Sequence, residues 1–331
     1  MIVFRKVNVA KGLVVFMISL AVLVLVGACL PAEPEFTEPP EVEVVEPDPA
    51  DIEPDRVEPE IVEPVKTEPD DRQPRATVSF HDKCADTLKT FVDAQGMVDY
   101  KGLRRRRYEL RTLLEEFSKL DRRQYRSWPK ADKIAFWINT YNLQKLKVVV
   151  DNYPITPSSQ VLAVYWRPLN IRHIEGKISR HKFLIMDEQF TFAEVEKRFF
   201  GDKFDDPRIF LALTSASLSS PPLRNEPYYG RKLGEQLDDQ VNRFLSGPLA
   251  FGIDREEQTV YLSAMFELSS WGPEFVEKFA TDKKFKNHPP MTRAALNFIT
   301  NYISESDISF LEVGNYSVKY MKHDWTINYG S

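Results

Sequence analysis

Pro54, Pro59, Pro64, Pro69 and Pro74 recur every five residues, four of them directly after Glu, inside a low-complexity stretch that runs from residue 31 to 77. Such a segment has almost no apolar surface to bury. Its charges repel one another, and proline favours an extended, fully solvated backbone. At ~3.1 Å per residue it reads as a stiff spacer, on the order of 100 Å or more when extended. The spacing therefore confines any packed core to residues 78–331, about 250 residues with globular composition and no internal repeat.

What precedes the spacer predicts a compartment. Arg5, Lys6 and Lys11 give a basic start with no acid before residue 31, and Leu13 to Val26 is an apolar run. A run of that length is short for a bilayer-spanning helix and suits the apolar part of a signal peptide. It ends Val26-Gly27-Ala28-Cys29, which resembles the lipobox of bacterial lipoproteins. The small residues admit the peptidase to the backbone, and the Cys29 thiol would carry the diacylglycerol. Two or three acyl chains on one residue hold a protein on a membrane stably, as a single chain does not. The expected division is a signal peptide over 1–28, a lipidated spacer over 29–77 and a globular domain over 78–331. Leu30 stands where an Asp would retain some lipoproteins at an inner membrane, so the expected location is extracytoplasmic, with an outer membrane favoured where one exists.

Charge and cysteine usage agree with that division. The net charge is −5, but residues 31–77 hold sixteen acids and four bases, so the domain alone is mildly basic. Arg104 to Arg107 are consecutive and wrap around a helix whose apolar side is Tyr108, Leu110, Leu113 and Leu114. They read as a solvated face, and no nucleic-acid partner is expected. With Cys29 lipidated, Cys84 is left alone and an intrachain disulfide is excluded; it reads as a small apolar residue at a helix start.

Helical periodicity runs through 79–94, 104–119, 129–151, 191–200, 232–246, 271–280 and 290–304. Strand-like stretches are fewer: 181–187, 207–214, 259–263 and 316–321. The expected fold class is α+β, a single helix-rich domain with a small sheet. No metal is expected, because His81, His173, His181, His288 and His323 show no ligand spacing. No cofactor is expected either, since the chain has no glycine-rich phosphate loop.

Several segments in order resemble the bacterial family known as domain of unknown function 547. They are Gly96-Met97-Val98-Asp99-Tyr100, Ala135 to Asn142, Ile171-Arg172 with Gly176, Phe190 to Glu196, Asp206 to Leu213, Pro221-Pro222-Leu223-Arg224, Gln236 to Gln240, and Asp324 to Asn328. The family pattern after the strand-like stretch is Cys-Ala-Ser-x-Gly-Cys-Pro-Pro-Leu-Arg. Here both cysteines are serine, Ser215 and Ser220, and Lys197 stands where the family helix usually has His. The resemblance implies thiolate–imidazole chemistry in relatives, in which the imidazole lowers the thiol pKa and carries its proton. It also leaves open a papain-like layout. In this chain that constellation is lost.

The surviving motifs predict that Ser215, Ser220 and Lys197 remain neighbours. A serine–lysine hydrolase or acyl-transferase would need Lys197 neutral, and Glu194, Glu196 and Arg198 around it argue for a wet helix instead. The reading therefore leans to a degenerate, non-catalytic domain. It would bind a peptide, an envelope component or a partner protein in a groove under Ser215–Arg224. The alternative is a hydrolase using Ser220 or Ser215 with Lys197. Asn139 and Asn142, three apart on an apolar helix, and Arg208 and Arg224 are the binding candidates. For the amides, pinning of a loop stands beside ligand contact, and for the arginines, ion pairs with Asp or Glu. Asp324-Trp325 reads as a clasp that closes the core.

Overall fold

Helix α5 (Lys130–Asp151) is buried on nearly every side, from Ile134 through Val150. A helix apolar all round belongs in the middle of a core, and the other elements pack about it. The computed structural model describes residues 79–157, 159–204, 206–267, 272–281 and 283–330, all within one compact unit, Arg72–Ser331. Cys29 and the proline-rich segment lie outside the described residues. The architecture is α+β and helix-rich, with one two-stranded and one three-stranded sheet.

Before α5 come α1 (Ala85–Phe91), α2 (Tyr100–Arg105), α3 (Arg107–Ser118) and α4 (Arg122–Ser127). Helix α3 buries Leu110, Leu113, Leu114 and Phe117, as its period demands, but Tyr108, expected on the apolar side, is exposed. The helical run breaks at Arg106, and that offset turns Tyr108 outward. Arg104 to Arg107 are all exposed. Trp137 of α5 stacks on Phe199 with ring centroids 3.8 Å apart and donates its indole N–H to Tyr125 Oη at 2.8 Å. The indole thus buries its area without stranding its polar atom.

After α5 the chain forms α6 (Gln160–Tyr165), α7 (Glu175–Ser179) and a hairpin of β1 (Phe183–Ile185) and β2 (Glu188–Phe190). Met186 and Asp187 both take positive φ, the two-residue turn whose twist matches paired strands. Thr191 and Glu194 close a capping box that starts α8 (Phe192–Val195), which runs on into a π-helical segment, Glu196–Phe204.

Residues 207–214, expected as a strand, instead begin with a 3₁₀ helix, Pro207–Ala212. Local capping decides this. Asp206 caps the Arg208 N–H, and Pro207 has a φ preset for the first helical position. The segment joins the two cores. Ile209 and Ala212 belong to the cluster around α5, Leu211 to a second cluster, and Phe210 packs against both.

The second cluster is built by α9 (Leu233–Leu245), β3 (Phe251–Asp254), β4 (Thr259–Leu262), α10 (Gly272–Phe279), α11 (Pro290–Ile299), α12 (Glu305–Val313) and β5 (Ser317–Tyr320). Strand β4 is central, antiparallel to β3 and parallel to β5. Among the described residues no helix is long and apolar enough to cross a membrane.

The last segment ties the domain together. Residues 326, 327 and 329 form single bridges to Asn170, Ser217 and Val98 respectively. Asn328 donates from its amide to Gly96 O at 2.8 Å and accepts from Tyr100 Oη at 2.8 Å. Gly96 has φ +82°, and a Cβ there would lie 2.7 Å from Leu223 N, so only glycine lets these two backbones approach.

Candidate functional site

The chain leaving the 3₁₀ helix is gripped before it reaches the serines. Asn142 donates to Ala212 O at 2.9 Å and accepts from Thr214 N at 2.9 Å. Asn139 does the same for another loop, donating to Tyr228 O and accepting from Tyr228 N, each at 2.9 Å. Both amides are engaged at both ends by backbone. The space they share with Arg224 and Tyr228 is only about 10 Å³, room for a water and no more.

The two arginines are held in ion pairs. Arg208 reaches Asp206 and Asp238, each at 2.7 Å, and Arg224 reaches Glu226 at 2.6 Å and also Asp239. These pairs lace the 3₁₀ helix and the loop before α9 onto that helix.

From Thr214 to Ser220 the chain makes a tight, polar turn. Thr214 Oγ1 accepts from Ala216 N at 2.9 Å, and Ala216, fully buried, takes φ +62°. Holding a residue with a Cβ in that region costs about 1–2 kcal/mol. Ser220 Oγ accepts from Ser215 N at 2.8 Å and donates to Pro221 O at 3.2 Å. Its hydroxyl is committed in both directions. Ser219 Oγ accepts from Asp324 N at 2.8 Å.

Ser217 is different. Its Oγ lies 2.9 Å from Ser215 Oγ and 2.9 Å from His323 Nε2. The His323 ring lies against Trp325, centroids 3.8 Å apart, and the Arg172 guanidinium covers the indole at 4.5 Å. Burial, reinforced by the Arg172 charge and only partly opposed by Asp324, pulls His323 down to about 4, so the imidazole is neutral at physiological pH. Its Nδ1 is buried without a hydrogen-bond partner.

Ser217 also lines a cavity of about 540 Å³, although only 1% of its surface reaches solvent. Gly96 and Met97, the Ser217–Pro222 turn, the end of α9 and the Pro248–Ala250 entry to β3 form the walls. Most of that lining is apolar, through Met97, Leu218, Pro222, Phe244 and Leu249, and Arg243 is the one charged residue among the described lining.

Of the sequence candidates, Ser215 and Ser220 are brought together. Lys197 is exposed and shares no hydrogen bond or ion pair with either. Among the described residues the buried lysine is Lys145, on α5. Its Nζ sits 4.1 Å from the centre of the Phe192 ring, and burial draws it down to about 8 against the pull of Glu196. Tyr141 Oη donates to that Glu196 at 2.6 Å. Cys84 is fully buried, its thiol pushed up to about 12 by burial, and it donates to His81 O. Such a thiol is inert. Among the described residues no group of three or more His, Cys, Asp or Glu is placed to hold a metal ion.

The Ser217–His323 pairing was missed at the level of sequence. The two are 106 residues apart, and nothing in local spacing connects them.

No curated protein and no solved structure matches the chain. A family model does match, over a segment that carries Asn139, Asn142, the serine turn and Arg224 but stops short of β3 and His323. Residues 125–245 match the model of the family described as protein of unknown function, DUF547.

Proposed function

We propose that the domain is held at the outer face of a membrane by lipid on Cys29 and binds the apolar part of an envelope component in the cavity beside the Ser217–Pro222 turn. The observation that carries the binding half is the cavity itself: about 540 Å³, mostly apolar, with polar residues such as Ser217, Asn242 and Arg243 in its lining. That combination of size and lining is typical of small-molecule sites. The anchoring half rests on the lipobox-like Val26-Gly27-Ala28-Cys29 and the spacer that follows. A spacer of that reach would let the domain sample ligands well away from its own anchor. Asn139, Asn142, Arg208 and Arg224 support this site from behind by fixing the backbone that shapes it.

The test is saturable binding of a dansyl-labelled fatty acid to the purified full-length protein, followed by fluorescence. Met97→Asp and Leu249→Asp, both on the cavity wall, are expected to weaken binding about tenfold or more, or ~1.4 kcal/mol. Absence of saturable binding, or binding indifferent to both changes, rejects the cavity as the ligand site.

A further inference from the structure

Three features meet at Ser217. Its hydroxyl is in hydrogen-bond contact with a neutral imidazole; the residue lines the apolar cavity; and it follows a buried alanine held at positive φ. Strained backbone at a reactive side chain is a recurring mark of sites where geometry is fixed for chemistry. We propose that Ser217 and His323 form a nucleophile–base dyad that hydrolyses esters with an apolar acyl group, the acyl group lying in the cavity. The proposal rests on the cavity reading above and gives it a substrate class.

The two 2.9 Å contacts allow the arrangement the chemistry needs, with Ser215 O–H donating to Ser217 Oγ and Ser217 O–H donating to an unprotonated His323 Nε2. Ser217 Oγ attacks the ester carbonyl carbon while its proton passes to Nε2. The carbon–oxygen bond to the alcohol breaks, and the alcohol leaves with the proton from Nε2, giving an acyl-serine. Water then gives a proton to Nε2 and adds to the acyl carbon. The Ser217 ester bond breaks, Ser217 Oγ recovers the proton, and the carboxylic acid is released.

Among the described residues no carboxylate is hydrogen-bonded to His323. Asp324 Oδ1 is occupied by Thr326 N at 2.9 Å, and the ring is held by Trp325 instead. Removing the acid from a serine triad slows turnover by about 10⁴-fold. The dyad is therefore expected to be slow, and covalent capture is a more sensitive readout than turnover.

The experiment uses the purified full-length protein and a fluorophosphonate probe with an alkyl chain, which a serine hydroxyl attacks at phosphorus with loss of fluoride. Mass spectrometry is expected to place the phosphonyl group on Ser217. His323→Gln is expected to slow labelling about 100-fold or more, the usual contribution of a general base. Ser217→Ala is expected to abolish labelling; Ser217→Cys serves as a second variant in case that change disturbs the turn, and it should become alkylated by iodoacetamide, more slowly when combined with His323→Gln. Label on Ser215 or Ser220, labelling indifferent to His323→Gln, or no label on a protein that still binds the dansyl fatty acid overturns the dyad. Loss of fatty-acid binding alone would overturn the cavity reading and leave the labelling result to stand by itself.

Discussion

Asn142 holds the backbone on both sides of Leu213, giving a hydrogen to Ala212 O and taking one from Thr214 N, each at 2.9 Å. One side chain on the central helix thus sets where the serine turn begins. Asn142→Ala would strand two buried backbone groups, each costing about 1–3 kcal/mol. Stability is expected to fall by about 2–4 kcal/mol, read from the urea midpoint. Asn142→Asp keeps the acceptor and loses the donor, and should fall between the two. A wild-type midpoint for Asn142→Ala would show that the turn holds its shape without this grip.

Lys197 is exposed and has no bond to the serines. Lys197→Ala is expected to change stability by less than about 0.5 kcal/mol, as surface substitutions do. It should also leave fluorophosphonate labelling at its wild-type rate. Loss of labelling in this variant would bring back a serine–lysine mechanism in place of the histidine.

Acid should loosen the fold well before the carboxylates titrate. Burial draws both His323 and His181 down to about 4, while in the unfolded chain each titrates near 6.5. Between those values the unfolded state takes up protons that the folded state refuses. Stability is therefore complete above pH ~6.5 and declines as the pH falls towards 4. Arg172 opposes protonation of His323, and Lys147 and Lys145 oppose that of His181, against the weaker pull of Asp324 and Asp151. The urea midpoint is expected to drop from pH 7 to pH 4.5, and His323→Gln should flatten part of that slope. A midpoint constant over this range would contradict the burial of both rings.

For the proposed anchor, Cys29→Ser is expected to abolish metabolic labelling by palmitate. The protein should then appear as uncleaved precursor or leave the membrane fraction. Continued palmitate incorporation in this variant would show that the lipid sits elsewhere.

The parts of the fold that could be read from the residues are those where one physical signal acts alone. Helix Lys130–Asp151 carries apolar residues at helical spacing over its whole length and reads as a helix. Thr191 and Glu194 announce a helix start by side-chain chemistry. Where two signals compete, the shorter-range one prevailed: the apolar run after Pro207 suggests a strand, but the Asp206 cap and the proline ring turn it into a 3₁₀ helix. Strand Phe251–Asp254 gave no periodic signal because all four of its residues are half-buried. The serine turn was visible as a motif. Its partner was not, because His323 reaches Ser217 only through the path of the C-terminal segment, across the fold and not along the chain.

That path has a consequence in time. The segment after β5 joins Val98, Asn170 and Ser217, and the contact of Asn328 with Gly96 closes a loop of 232 residues. Contacts so distant along the chain repay their closure entropy only after the intervening structure has formed. Docking of this segment is thus a late event, and it is the event that delivers His323 to Ser217. A nascent molecule, or one whose final segment has frayed, can hold both hydrophobic clusters and still lack its imidazole. Completion of folding and assembly of the proposed dyad are then one step.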